Sequence, residues 1–444
     1  MDVMDDLLRL GMAPGQARAA GALFARADAA LDAAGAAGAR WSVWVPGRLE
    51  VLGKHTDYCG GRSLLCAVER GFAVRVAARA DAQVRAWDAT LDAGCTTALD
   101  AGATLPAGTW GNYVATVARR LARNFPDARL GVDLAFASDL PVAAGLSSSS
   151  ALMIAVFVAL AKSNDLRSSE AFRRAIFTRE ELAAYLGAVE NGAPFHTLAG
   201  DAGVGTMGGC QDHTAIMCAE PGRLVRYGFS PPRREGTYPV PASHTFVVAS
   251  CGVPAEKTAG ARAAYNRAAT LVQHLLRAWR VATGRDDATL ADAVRSAPDA
   301  ADQLRALAAR AYTDEAPAAD LLARLEHFLL ESRVLIPMAS ERLARGALDD
   351  FGTVVDQSQG AAERWLGNQV PETIALARAA RRLGATAASA FGAGFGGSVW
   401  ALVPAADADA FREAWARTYA EAFPARAEAA GFFTTGAGIG AQQF

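Results

Sequence analysis

No C-x-x-C pair and no zinc-like grouping of Cys with His occurs in the sequence. Its six cysteines, at 59, 66, 95, 210, 218 and 251, are scattered, which argues against a metal staple and reads as reduced, mostly packed thiols. An excess of either charge is missing too, with 44 Lys and Arg against 46 Asp and Glu and a formal net charge of -2. A nucleic-acid partner normally needs a basic face, so none is expected, and any anion binding must be local. The longest strongly apolar run, Ala151 to Ala161, is far short of the ~20 residues that span a bilayer. The N-terminus, MDVMDDLLRLG, is acidic where a secretory signal would be basic. These absences point to a cytoplasmic protein with no membrane partner, and no internal repeat marks a solenoid.

What is present is ordinary globular material, 52% hydrophobic and 20% charged, in a chain long enough for about two to three domains. A polar, proline-rich connection from Pro231 to Ser243 suggests the boundary, giving units 1–235 and 236–444. The chain is organised around Leu140 to Val156, LPVAAGLSSSSALMIAV. A predicted strand, Val132 to Leu140, feeds a proline-led turn, Gly145 and four serines, then an apolar helix over Ala151 to Ala161. Small residues let successive backbone N–H groups converge, and the helix N-terminus adds partial positive charge, a geometry that suits a polyanion such as a triphosphate. A serine hydroxyl there can ligate magnesium, as in a P-loop. The same residues also read as a solvated turn capping a buried helix.

Residues 14–34 predict a helix with a thin apolar stripe, and Trp41 to Gly53 predicts two short strands or one bent strand around Pro46-Gly47. The cluster Lys54-His55-Thr56-Asp57-Tyr58, followed by Gly60-Gly61, reads either as a turn with an Asx cap or as groups that hydrogen-bond a polyhydroxylated ligand. After more sheet from Leu64 to Ala80, Trp110 to Phe125 predicts an amphipathic helix whose Arg119, Arg120 and Arg123 form a solvated face. A helix over Arg179 to Val189 ends near Glu190, and the glycine-rich stretch Asn191 to Gly209 has the length of a lid or specificity loop. Asp212 follows the close turn Gly208-Gly209, as a helix cap or a catalytic group. Beyond the strand from His244, Lys257 and Tyr265 either reach a ligand or lie on a helix surface. Residues 266–380 predict helices, with a cap at Asp286-Asp287 and a break at Pro337, before a second glycine-rich turn, Gly392 to Gly397, feeds a strand.

Three of these stretches, in order, resemble the motifs of the GHMP small-molecule kinases, and the first resembles the sugar signature of galactokinases. PGRLEVLGKHTDYCGG is similar to their G-R-x-N-x-x-G-E-H-x-D-Y, DLPVAAGLSSSSAL to the phosphate loop, and GAGFGGSVWALV to the third motif. WGNY at 110–113, Gly209 to Asp212 and Tyr265-Asn266 extend the likeness over nearly the whole chain. The resemblance implies an α+β fold of two domains, an N-terminal S5-domain-2-like and a C-terminal ferredoxin-like domain, with the active site in the cleft between them. It implies ATP as phosphoryl donor with Mg2+, and a sugar phosphorylated on its anomeric hydroxyl. Gly145, Leu146, Ser147, Ser148, Ser149 and Ser150 would hold ATP, Ser149 and Glu190 the magnesium, and Asp212 with Arg48 would be catalytic. Lys54, His55, Asp57, Gly209 and Tyr265 would bind the sugar, in a monomer or homodimer.

The departures fall mostly on the sugar side. Where the family has Asn, Glu and Gln, this chain has Glu50, Lys54 and His213. Either Lys54 pairs structurally with Glu50 or another acid, or it faces an anionic substituent such as a uronate carboxylate. A galactose-like sugar and a uronic or otherwise modified sugar therefore both stand as substrates. A non-catalytic ATP and sugar sensor is the alternative from another class, against which the retained Asp212 and Arg48 argue.

Overall fold

The computed structural model describes residues 3–444 except 142–143, 255–258 and 311–315. Twelve strands are named here in chain order: β1 Arg40–Leu52, β2 Arg62–Ala78, β3 Gln83–Asp88, β4 Ala93–Ala98, β5 Val132–Ser138, β6 Arg223–Gly228, β7 Arg233–Pro239, β8 His244–Ser250, β9 Ala387–Phe391, β10 Ser398–Pro404, β11 Gly431–Thr435 and β12 Gln442–Gln443. They form two sheets.

The first sheet runs β12-β1-β2-β5-β3-β4, with β6 and β7 continuing from the far end of β2. Trp41 to Leu52 of β1 are buried throughout, since the helix Pro14–Ala33 covers one face of this sheet and Ser148–Ser163 the other. Of the two readings of Trp41 to Gly53, the bent strand is observed. Its pairing with β2 slips between Pro46 and Arg48 and again between Glu50 and Leu52. Such irregularities re-aim side chains, and here they fall where the polar residues of the sugar-like motif begin.

The second sheet is antiparallel, in the order β11-β8-β10-β9. With helices between β8 and β9 and between β10 and β11, this is the ferredoxin-like arrangement. Its strands alternate strictly. Val247 and Ala249 of β8 and Val399, Ala401 and Val403 of β10 pack with Leu376 and Trp415 from the helices Pro371–Arg382 and Ala408–Ala422. Phe246, Val248, Trp400 and Leu402 point the other way, into the core shared with the first sheet. The first sheet continues through β7 to Pro239, and β8 opens the second; the C-terminal β12 returns to pair with β1.

Between β8 and β9 the chain is helical, with its own core around Leu275, Trp279, Leu304, Leu325 and Phe328. Cys59, from the turn after β1, is part of that core. Pro337 does not break the chain there. The helix Ala318–Leu330 passes through a π-helical turn, Glu331–Leu335, straight into Ile336–Ala344. The wider turn accommodates a proline ring that lacks an N–H. The helix after the phosphate-type loop begins at Ser148, earlier than its apolar run, so three serines occupy its first turn.

Arg119 and Arg120 correct a second expectation. They are 8% and 1% exposed rather than solvated, because residues 191–207 fold back over the helix Gly111–Asn124. Arg119 donates to Asp201 and to the carbonyls of Ala103 and Ala202, while Arg120 donates to Asn124 and to the carbonyl of Ala193. Only Arg123 stays exposed, and it too pairs with Asp201. The polar face predicted by periodicity is real, but it serves as the anchor of the long loop.

Candidate active site

The two sheets and the helical segment border a cleft of about 780 Å³. β1 supplies Arg48 and Glu50, two residues apart and hence on one side of the strand. The helix Gln211–Cys218 supplies Gln211 and Asp212 from its first turn, where a carboxylate is favoured by the helix dipole. The phosphate-type loop supplies Gly145, Ser147, Ser148 and Ser149.

These three sources meet at Asp212. One carboxylate oxygen accepts from Arg48 Nε at 2.8 Å and the other from Ser147 Oγ at 2.5 Å. Arg48 also donates from Nη1 to the Gly145 carbonyl, and its backbone N–H to the Leu146 carbonyl. The guanidinium therefore fastens β1, the loop and Asp212 into one wall. Burial disfavours its charge, but Asp212 and Glu50 outweigh that and leave its pKa above the ordinary value. Ser147 holds φ 60°, a left-handed conformation unusual for serine, which the hydrogen bond to Asp212 helps to maintain.

Ser150 and Leu146 lie behind the wall. Ser150 is fully buried and donates to Glu190 at 2.9 Å, and Glu190 in turn faces the cleft. Leu146 contributes its carbonyl and a buried side chain. Ser149 and Glu190 thus border one region of the cleft beside the phosphate-type loop.

Of the sugar-motif residues, Asp57, His55, Gly209 and Tyr265 line the cleft and Lys54 does not. Asp57 accepts from the backbone N–H of Gln211, and burial raises its pKa. A Cβ at Gly209 would sit 2.3 Å from the Asp57 carboxylate, so only glycine permits that approach. His55 has both ring nitrogens engaged within the protein: Nε2–H donates to the Ala393 carbonyl and Nδ1 accepts from Tyr58 Oη. Burial pushes it down to about 4, which keeps the ring neutral. Its role is to tie the first motif to the glycine turn at 392–397. Asn266 accepts from Met207 N–H and donates to the Gly205 carbonyl, holding the long loop over this end. Lys257 lies outside the described residues.

Lys54 is 0% exposed and donates to Ser389 Oγ on β9 at 2.8 Å. Ser389 continues to Gln359, while the neighbouring Gly53 N–H donates to Glu331, itself bonded to Ser358. The lysine belongs to a polar layer between the two sheets, behind the cleft. Glu50 has the opposite fate. It faces the cleft at 2% exposure, one oxygen accepting from Gln211 Nε2, which is itself braced by Ser63. Burial raises Glu50 to about 7 against the pull of Arg48 and Lys54.

The other end of the cleft is apolar, lined by Phe72, Trp110, Phe136, Leu140 and Leu152. Trp110 stacks edge-on against Phe136, so the start of WGNY forms part of this wall.

Comparison with known proteins follows the same division of the chain. Residues 112–219 match the GHMP kinases N terminal domain, 339–421 the GHMP kinases C terminal domain, and 34–78 the galactokinase galactose-binding signature. The chain belongs to the GHMP kinases. Curated galactokinases from Actinobacillus pleuropneumoniae and Glaesserella parasuis are 36% and 37% identical to it over 115 and 117 residues, 26% of this chain. These alignments span 30% of the length of each relative. Among solved structures, Lactococcus lactis galactokinase complexed with galactose superposes with a TM-score of 0.75 at 23% identity, covering 94% of this chain and 98% of that one. Methanococcus jannaschii mevalonate kinase gives 0.54 at 14% identity over 90% and 99%.

Sequence reasoning did not find three groups that shape this GHMP kinase site. Gln211 precedes Asp212 directly and was visible as a polar residue at a helix start. Arg324 and Glu331 gave no local signal, since they come from the helical segment more than 260 residues after the motif they hold. Arg324, 1% exposed, donates to the His55 carbonyl and to Tyr58 and Cys59.

Proposed function

We propose that this chain is an ATP-dependent sugar kinase that transfers a phosphoryl group to the anomeric hydroxyl of a galactose-like monosaccharide, giving the sugar 1-phosphate. The observation that carries the reading is Asp212, held between Arg48 and Ser147 where the sugar motif meets the phosphate loop. Phosphoryl transfer demands mainly positioning, charge stabilisation and a group that orients or deprotonates the nucleophile. Asp212 fits the last role: fixed at both oxygens, it offers an acceptor aimed into the cleft. Arg48 keeps it in place and offsets charge developing beside it.

The triphosphate would lie along the backbone of 145–149 and the first turn of Ser148–Ser163, with its base toward the apolar end. The donor set fits magnesium, which takes hard oxygens and usually only one or two protein ligands beside substrate phosphates. Ser149 and Glu190 would hold it, and it would neutralise phosphate charge. Among the described residues no group of three or more His, Cys, Asp or Glu gathers as a metal cage, in keeping with a cation shared with substrate.

The position of Lys54 weighs against an acidic sugar, because the reading that favoured a uronate required its ammonium in the cleft. We place the activity in the cytoplasm, where ATP is supplied; no described helix is long and apolar enough to cross a membrane. Magnesium-ATP consumption measured against neutral aldohexoses, pentoses and the matching uronic acids, with Asp212→Ala as the blank, tests the proposal. Turnover is expected with a galactose-configured neutral sugar, and none with any sugar would overturn it in favour of a sensor.

A further inference from the structure

Glu50 stands where the family pattern has Asn, and the reaction as described gives it no task. Its side chain borders the cleft between Arg48 and the Gln211-Asp212 turn and is 98% removed from solvent. Oε2 is satisfied by Gln211, whereas Oε1 is buried and has no hydrogen-bond partner. A buried carboxylate oxygen without a donor is costly, so natural proteins keep one where a ligand supplies the missing bond. The Ser63 hydroxyl donates to the Gln211 oxygen and so fixes the amide's orientation, in which Nε2 donates to Oε2 of Glu50. Lys54 favours the charged form of Glu50, though burial outweighs it, and donates its hydrogen bond to Ser389.

The surroundings indicate what kind of group completes the bond. Glu50, Asp57, Glu190 and Asp212 all line the cleft around the sugar motif, and Arg48 is the one Lys or Arg lining it among the described residues. That arginine is already engaged by Asp212 and Gly145. A substrate carboxylate here would face several acids with no spare cation, whereas a hydroxyl can donate to Glu50 without such repulsion.

We propose that Glu50 is a specificity-determining residue of the sugar site: its Oε1 accepts a hydrogen bond from a hydroxyl of a neutral sugar, and its charge excludes uronic acids. The proposal rests on the sugar-kinase reading for the identity of the site. It differs from the resemblance, in which this position is an amide, and it moves the decisive charge from Lys54 to Glu50.

The experiment is direct binding of D-galactose and D-galacturonate by calorimetry at pH 8, where Glu50 is ionised, alongside magnesium-ATP turnover of both, in the wild type and Glu50→Gln. Glutamine keeps the bond from Gln211 but turns a donor toward the substrate. The expected result is a preference for galactose of at least 10-fold in the wild type, a loss of galactose affinity of about 10- to 100-fold in the variant, and a gain for galacturonate. Glu50→Asn, with the residue of the family pattern, is the second variant should glutamine not fold, and is expected to relax the same preference. Tighter binding of galacturonate than galactose by the wild type, or a ratio unchanged in the variants, would overturn the proposal while leaving turnover intact. Binding of galactose with the expected ratio but without ATP consumption would sustain it and overturn the kinase reading. Failure to bind either sugar would overturn it outright.

Discussion

Two polar layers lie on opposite sides of the first motif, and each holds deeply buried charged residues. One faces the cleft and consists of Arg48, Glu50, Asp212 and Ser147; the other lies between the sheets and consists of Lys54, Ser389, Gln359, Glu331 and Ser358. Arg48 is 3% exposed and Glu50 2%, against 0% for Lys54 and Glu331. Asp212 and Ser147 are more open, but among the charged residues of the first motif itself depth does not separate the cleft side from the scaffold side. Direction does: the first layer presents acceptors to an open space, while the second spends its hydrogen bonds joining β1, β9 and the helices Leu348–Ala361 and Ala318–Leu330 with its π turn. The comparison teaches that a charge reversal inside a recognised motif says little about the substrate until it is known which layer receives it.

If the layers divide the work in this way, substitutions in them should fail differently. The largest effect is expected for Asp212→Asn, which keeps the shape of the wall but removes the acceptor's charge and replaces one of its two accepting oxygens with an amide N–H. Turnover should fall about 10³-fold, within the range for a lost general base, with some loss of stability because buried Arg48 loses the charge of its ion-pair partner. A fall of less than 10-fold would mean that Asp212 only braces Arg48.

Glu50 offers a pH test of the same layer. Its folded-state pKa of about 7 lies above its ordinary 4.5, so the folded protein binds the proton more tightly. The stability this confers is full below about 4.5 and is lost as pH rises through 7. Glu50→Gln cannot titrate, so its stability relative to wild type should climb across that window, by up to ~3 kcal/mol, and then level off. Denaturant unfolding at pH 4.5, 6 and 8 reads this directly, and a flat difference would show that Glu50 titrates normally. Arg48, Lys54, Gln211 and Asp212 are the charged and polar groups that act on it.

Lys54→Met should do the reverse of Asp212→Asn. Loss of a hydrogen bond from a buried ammonium is expected to cost about 2 kcal/mol of stability, read by chemical denaturation. The ranking of neutral against acidic sugars should not change. A changed ranking would bring Lys54 back to the substrate and erase the distinction between the layers.

The smallest effect is expected at the loop. Arg119→Ala removes the anchor to Asp201 and to two carbonyls, so limited proteolysis should cut within 191–207 sooner, at a stability cost of ~1 kcal/mol. Unaltered cleavage would show that Arg120 and Asn124 hold the loop without it.

How much of this was legible beforehand follows from the range of each interaction. Strand, loop and helix around Ser147 could be read because turn residues, serine caps and apolar runs act over a few positions. Arg48, Asp57, Gly209, Asp212 and Tyr265 were found through the resemblance and do converge on one cleft. Arg119 and Arg120 of Gly111–Asn124 were misread, unlike exposed Arg123, because periodicity reports that a face is polar, not what covers it. Lys54 stayed ambiguous because its partner, Ser389, lies 335 residues away.

The sequence by itself determined the local elements, the order of the three motifs and the kind of chemistry their residues can perform, since each depends on groups close together in the chain. Only the tertiary structure decided which side of the first motif each charge would occupy. Register slips within β1 and the packing of β9 and the helical segment against it turn Glu50 toward the cleft and bury Lys54 behind it. Those contacts come from residues that share no local pattern with the motif, and they exist only once the two sheets have closed on each other.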